Sequence, residues 1–172
     1  MFKILSFFSL FLLTSAPWAK AQDGQLTLIS SAFENNQDIP AHFTCKGSDI
    51  NPPLTIQNIP PKTESLALTM TDPDAPGGTW VHWVVYNIKP NTPIITENSI
   101  PGKELLNDFG KYHYGGPCPA NEKEHHYIFR VYALDQIMDI DEGSTMKEME
   151  KAIRGHILAQ SKLTGVYRKP VW

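Results

Sequence analysis

The chain has 172 residues, with 15 basic and 18 acidic side chains and a formal net charge of −3. That length suits one domain with a substantial core. A mildly acidic chain with no basic run is excluded as a nucleic-acid binder.

Met1-Phe2-Lys3 is a short basic start, and Ile4 to Leu13 is apolar apart from two serines. Ala19-Lys20-Ala21 follows, with small residues at the −3 and −1 positions of a signal-peptidase site. Residues 1–21 are therefore read as a leader cut after Ala21, and 22–172 as the mature domain. The apolar run is shorter than the roughly 20 residues a span requires. Cleavage would remove Lys3 and Lys20 and no acid, moving the net charge from −3 to −5. A periplasmic or secreted location follows from this reading, with no transmembrane segment left after the leader.

Proline and glycine then punctuate short apolar segments, a β-dominated pattern. Leu26 to Ser30 reads as a first strand and Leu54-Thr55-Ile56 as another. Ser65 to Thr71 and Val81 to Ile88 are apolar at nearly every position. Such runs belong to central strands covered on both faces. The segment from Pro90 to His113 is polar and reads mostly as loop, and Tyr127 to Leu134 is a fourth strong strand. Thr145-Met146-Lys147-Glu148 has the form of a capping box. Met146, Met149, Ile153 and Ile157 extend it as one apolar stripe, so a helix is expected over about 145–162. Gly165 ends that segment, and Val166-Tyr167-Arg168 reads as a short edge strand.

Two cysteines, Cys45 and Cys118, follow the leader. An isolated pair in an exported protein points to a disulfide. On the chain-entropy model, closing so long a loop contributes about 4 to 5 kcal/mol. Two free thiols are the alternative. A metal site would need closer ligand spacing.

The densest polar segment is Asp72-Pro73-Asp74-Ala75-Pro76-Gly77-Gly78-Thr79-Trp80-Val81-His82-Trp83. It joins the two central strands. Two prolines and two glycines fix an unusual loop, and a cis bond at Pro76 would turn it sharply. Asp72 ends one strand and His82 lies early in the next, so the carboxylate is expected near this imidazole. The plainer reading is a capped turn beside a hydrogen-bonded histidine. Tyr112 to Pro119 adds Gly115-Gly116, whose amides could converge on an anion as nests do. In His125-His126-Tyr127, alternation aims His125 and Tyr127 one way and His126 the other. Trp83 is read as core and Trp80 is left open between core and ligand platform.

Taken together, Asp72-Pro73-Asp74-Ala75-Pro76, Trp80-Val81-His82-Trp83, Gly116-Pro117-Cys118-Pro119 and His125-His126-Tyr127 resemble the signatures of the phosphatidylethanolamine-binding protein family, in its bacterial Raf kinase inhibitor-like branch. Phe43 to Gly47, Asn51 to Leu54, Asn107 to Lys111, Tyr132 to Asp135 and Gly155-His156 extend the resemblance over about 29–168. It implies a Greek-key β-sandwich with a large central sheet and a few peripheral helices. It implies a surface cavity for phosphate or a phosphoethanolamine-like anion, lined by Asp72, Asp74, Pro76, His82, Gly116, His125 and Tyr127. It implies no cofactor, and a binding or inhibitory role toward a kinase or protease rather than catalysis. Two features depart from the pattern. His126 stands where arginine is usual, and Asn121-Glu122-Lys123-Glu124 brings two acids toward the mouth. Those acids would weaken anion binding or attract the ammonium of a zwitterionic head group.

Two other chemistries stay open on the residues alone. A hydrolase could use Asp72 and His82 as an acid–base pair, although the chain has no Gly-x-Ser-x-Gly elbow. A metal could use Asp72, His82, His125 and His126, but adjacent strand residues face opposite ways. Exposed edge strands leave room for a homodimer.

Overall fold

A computed structural model describes residues 24–169. The leader expected over 1–21 lies outside the described residues. No helix among the described residues is long and apolar enough to cross a membrane.

The strands form where β-branched and aromatic residues run between turns. They are β1 (Thr27–Ser30), β2 (Gln37–Asp38), β3 (Leu54–Gln57), β4 (Ser65–Asp72) and β5 (Trp80–Ile88). β6 (Ile94–Ile95), β7 (Lys103–Glu104), β8 (His125–Leu134) and β9 (Ile157–Tyr167) follow, with the helix α1 (Met146–Ala152) between the last two. A single 3-10 turn spans Ala41–Phe43. One sheet has three strands in the order β1-β3-β6, and the other has six in the order β2-β9-β8-β4-β5-β7. The large sheet is mixed, because β2 joins β9 in parallel while its other pairs are antiparallel.

The continuous apolar runs of β4 and β5 are explained by two cores. Leu66, Leu68 and Met70 of β4 pack with Leu28, Leu54 and Ile56 of the small sheet. Ala67 of β4 and Val84 and Tyr86 of β5 face the other way, under Met149 and Ile153. Alternation along each strand thus feeds both layers.

The expected helix over 145–162 is corrected. Its capping box is present, with Thr145 Oγ1 accepting from the Glu148 amide and the Glu148 carboxylate accepting from the Thr145 amide. The helix nevertheless ends at Ala152. Gly155 lies in the left-handed region at φ 92°. That conformation closes helices and is cheap only for glycine. Ile157 then starts an 11-residue strand rather than a fourth turn. Val166 and Tyr167 are the end of that strand and not a separate one. One α-helix therefore stands, among the described residues, where a few were expected. The Pro76 bond is trans, since no described peptide bond is cis.

Gly165 is set by close approach. A Cβ there would lie 2.4 Å from Ile39 Cγ1 and 2.8 Å from a Phe33 ring carbon. Gly165→Ala is expected to destabilise the fold by about 1–3 kcal/mol through overpacking. Urea unfolding checks this, and an unchanged midpoint would contradict the packing.

Candidate functional site

The site gathers at one end of β4, β5 and β8. β4 pairs β8 with Thr71 opposite Ile128, so Asp72 emerges beside the start of β8. Asp72 Oδ2 accepts from His125 Nδ1 at 2.7 Å, and both side chains are buried. Its other oxygen, Oδ1, accepts from the Asp74 amide at 2.8 Å. The carboxylate is thus satisfied inside the protein, as a buried charge requires.

His82 lies near Asp72, as expected, and feels its charge, but it does not hydrogen-bond to that carboxylate. The His82 Nδ1–H donates instead to the Gly115 carbonyl at 2.6 Å. Its ring meets Phe109 and Tyr127 edge-on, each at 5.2 Å between centroids. Burial pushes the His82 pKa below its ordinary value, against the opposing pull of the Gly115 carbonyl and the Asp72 charge. An imidazole in this setting favours its neutral form.

Asp72, His82 and His125 line a cavity of about 240 Å³. Ala75, Pro76 and Gly77 form one wall with Trp80. Cys118, Pro119 and Ala120 form another, and Phe109 closes the side. Trp80 and Phe109 pack edge-on at 5.5 Å and both remain partly exposed. Trp80 is therefore a wall residue, whereas Trp83 is core. Among the described residues, no lysine or arginine lines this cavity.

The other expected site residues lie elsewhere. Asp74 is on the outside, where its Oδ2 accepts from both the amide and Nδ1 of His126 at 2.8 Å. The His126 amide holds the Asp74 carboxyl below its usual range. This places His126 outward and makes it a clasp between the Asp72 loop and β8. Tyr127 is fully buried behind His82. Its hydroxyl lies beside the Cys118 backbone but outside hydrogen-bond geometry, and burial pushes its pKa up. Gly116 is behind the wall, and its amide donates to Asp49 Oδ1 at 2.7 Å. The Gly115 amide donates to the His82 carbonyl. Neither is left for an anion, so the expected nest is corrected. Glu122 and Glu124 do not line the cavity either, and Glu124 reaches Arg168 at 3.4 Å.

Sequence reasoning missed Phe109 as a wall residue, and it missed the part played by Asn107. The buried Asn107 side chain donates to the carbonyls of His82 and His113 and accepts from the amides of Phe109 and Lys111. All four of its hydrogen-bonding capacities are used, which fixes the loop that carries Phe109. The signal was Asn107-Asp108-Phe109-Gly110, a turn-forming run inside a stretch read as loop.

A family model described as phosphatidylethanolamine-binding protein matches residues 29–168. The chain belongs to the phosphatidylethanolamine-binding protein family. A UPF0098 protein of Pyrococcus horikoshii is 43% identical over 150 residues, covering 82% of this chain and 76% of its own. One from Methanothermobacter thermautotrophicus is 40% identical over 152 residues, covering 84% and 99%. The crystal structure of a phosphatidylethanolamine-binding protein homologue from Chlamydia trachomatis superposes with a TM-score of 0.82 at 37% identity, over 85% of this chain and 99% of that one. Escherichia coli YbcL, described as a member of the mammalian family, superposes at 0.79 with 27% identity, over 86% and 100%. The mainly β architecture with one large mixed sheet is the family's fold.

Cys45 and Cys118 form a disulfide, with 5.4 Å between Cα atoms. In this family member the bond ties the turn after Phe43 to the cavity wall. Cys118 is exposed and Cys45 half-buried, so a dithiol can reach it. The same junction is held by the Cys45 amide on the Pro117 carbonyl and by the Tyr114 hydroxyl on the Phe43 carbonyl. Reduction should therefore speed amide exchange at Cys45 and Gly116 by about tenfold or more while the β4–β8 ladder stays protected. Exchange followed with and without dithiothreitol decides this. A uniform rise across the ladder would show that the bond supports the whole domain rather than the wall.

Proposed function

We propose that the chain is an exported binding protein for a small anion, phosphate or a phosphoethanolamine-like head group, held at Asp72, His82 and His125. One observation carries the reading. Each histidine has its Nδ1 engaged, His82 by the Gly115 carbonyl and His125 by Asp72. That leaves Nε2 of both rings without a partner among the described residues, in a cavity whose other walls are mostly apolar and aromatic. Protonated Nε2–H groups are donors suited to an anion's oxygens.

The alternative, hydrolysis with Asp72 and His82 as an acid–base pair, has less support. The Asp72 carboxylate is bound to His125 and the Asp74 amide instead. Among the described residues, no serine or threonine lines the cavity, and the Cys118 sulfur is in a disulfide. A metal reading has less still, since no group of three or more His, Cys, Asp or Glu suited to a metal occurs among the described residues. The leader, if cut, sends the protein to the periplasm or outside the cell. A regulatory role toward a kinase or protease there would couple the cavity's occupancy to an extracytoplasmic partner.

His82→Ala and His125→Ala should each weaken phosphate binding by about 10- to 100-fold, the worth of one charge-assisted hydrogen bond. Calorimetric titration of inorganic phosphate measures this, and wild-type affinity in both variants would sink the assignment.

The pH dependence has a definite sign. Burial depresses the His82 pKa in the empty site, and an anion on Nε2 raises it, so binding takes up a proton. Affinity is then highest below the empty-site pKa and falls as pH rises through the bound-site pKa. Inorganic sulfate, whose own charge is constant, is the probe. Its Kd should rise with pH at a slope approaching about tenfold per unit for one proton, and the part of that slope due to His82 should vanish in His82→Gln. A flat profile in the wild type would contradict the role given to His82.

A further inference from the structure

A second cavity, of about 220 Å³, is lined by Trp83 and Tyr114 and shares no lining residue with the histidine site. Its chemistry is different. Among the described residues, two carboxylates line it, Asp49 and Glu104, and no lysine or arginine does. The Glu104 side chain is only 6% exposed. Its Oε1 accepts from the Trp83 indole N–H at 2.7 Å, and Oε2 from His113 Nδ1 at 2.9 Å. Asp49 Oδ1 accepts from the Gly116 amide, and no partner for its Oδ2 occurs among the described residues. Each carboxylate is positioned by hydrogen-bond donors, and among the described lining residues the basic side chain is His113, which pairs with Glu104 and is 71% exposed.

The remaining lining narrows the ligand. Trp83 and Tyr114 pack edge-to-face at 5.7 Å on the inner side. Asn98 and Ser99 add polar groups, and Ile100, 56% exposed, adds an apolar lip. Aromatic rings and carboxylates together favour a cation with some hydrocarbon attached. A bare metal ion fits poorly, because no cluster of three or more metal-ligating side chains forms among the described residues. The overall negative charge of the chain works in the same direction by concentrating cations near its surface.

We propose that the cavity between Asp49 and Glu104 is a binding site for a small alkylammonium ion. The ammonium sits against Glu104 and the free oxygen of Asp49, and the alkyl chain runs along Trp83, Tyr114 and Ile100. This site is independent of the anion reading of the histidine cavity and stands or falls separately.

The test is an NMR titration of the full chain with n-butylammonium chloride, read at the Trp83 indole N–H. Butan-1-ol serves as the neutral counterpart. The amine should shift this signal saturably at millimolar concentration, and butanol should not. Glu104→Gln and Asp49→Asn retain the acceptor oxygens that hold Trp83 and Gly116 but remove the charge. Each should weaken the amine by about tenfold or more, the effect of losing one charge-assisted contact, with the melting temperature little changed. The proposal is overturned if butanol binds as well as the amine, if both isosteric variants keep full affinity, or if calcium shifts the indole signal and the amine does not. Should Glu104→Gln fail to fold, Asp49→Asn and the butanol comparison still decide the outcome.

Discussion

The register of β4 against β8 governs most of what this molecule can do. Thr71 opposite Ile128 carries Asp72 to the start of β8, where its carboxylate meets His125 on the pocket side. A slip of one residue would turn every side chain of the strand over. With β4 slipped, Asp72 would face outward, away from His125. The same slip would lift Leu66, Leu68 and Met70 out of the core they share with the small sheet. Each buried side chain of this kind is worth about 1.5–3 kcal/mol. The packing of the sandwich therefore guards the geometry of the site, although none of those three side chains touches it.

The electrostatics follow from what the cavity lacks. An arginine would supply fixed positive charge and a bidentate fork for an anion. Here the lining offers two imidazoles and one carboxylate already bound within the protein. Positive charge for an anion has to arrive as a proton on a histidine, and burial of His82 makes that proton costly until the anion is present. A site of this kind, if it takes an anion as proposed, gains its ligand together with a proton and so responds to pH. Its apolar and aromatic walls then matter more than in a cationic pocket, because they must supply shape and some of the affinity.

The strands were legible because their physics is local. Continuous apolar runs at 65–71 and 81–88 could be satisfied only by coverage on both faces, and both faces are covered. The helix was overread for an equally local reason. A period fitted to Met146, Met149 and Ile153 happened to include Ile157, while Gly155, placed to end a helix, was passed over. The candidate site was legible in membership more than in pairing. Asp72, Pro76, His82 and His125 do share one cavity, but which histidine takes the carboxylate depends on a diagonal across two strands. Asp74, Gly116 and Tyr127 were placed with them on resemblance, and they instead form the clasp, the back of the wall and the packing beneath. Asp49 and Glu104 carried no local signal, because the cavity they share is assembled from segments more than 50 residues apart.

The segment Tyr114-Gly115-Gly116 joins these features. Its first hydroxyl fixes the turn at Phe43, its middle carbonyl sets the tautomer of His82, and its last amide holds Asp49. Three consecutive residues thus orient one group in each cavity. Both glycines are required by space rather than by backbone freedom. A Cβ on Gly115 would lie 2.7 Å from the Phe109 ring, and one on Gly116 would lie 2.4 Å from the Phe43 carbonyl. Neither neighbour can yield easily, since Phe109 is held by the Asn107 loop and the Phe43 carbonyl accepts from Tyr114. The disulfide at Cys118 pins this segment from its far end. A displacement of the segment would be felt as a rotated imidazole on one side and a released carboxylate on the other, so the wall is a common mechanical element of two pockets of different chemistry.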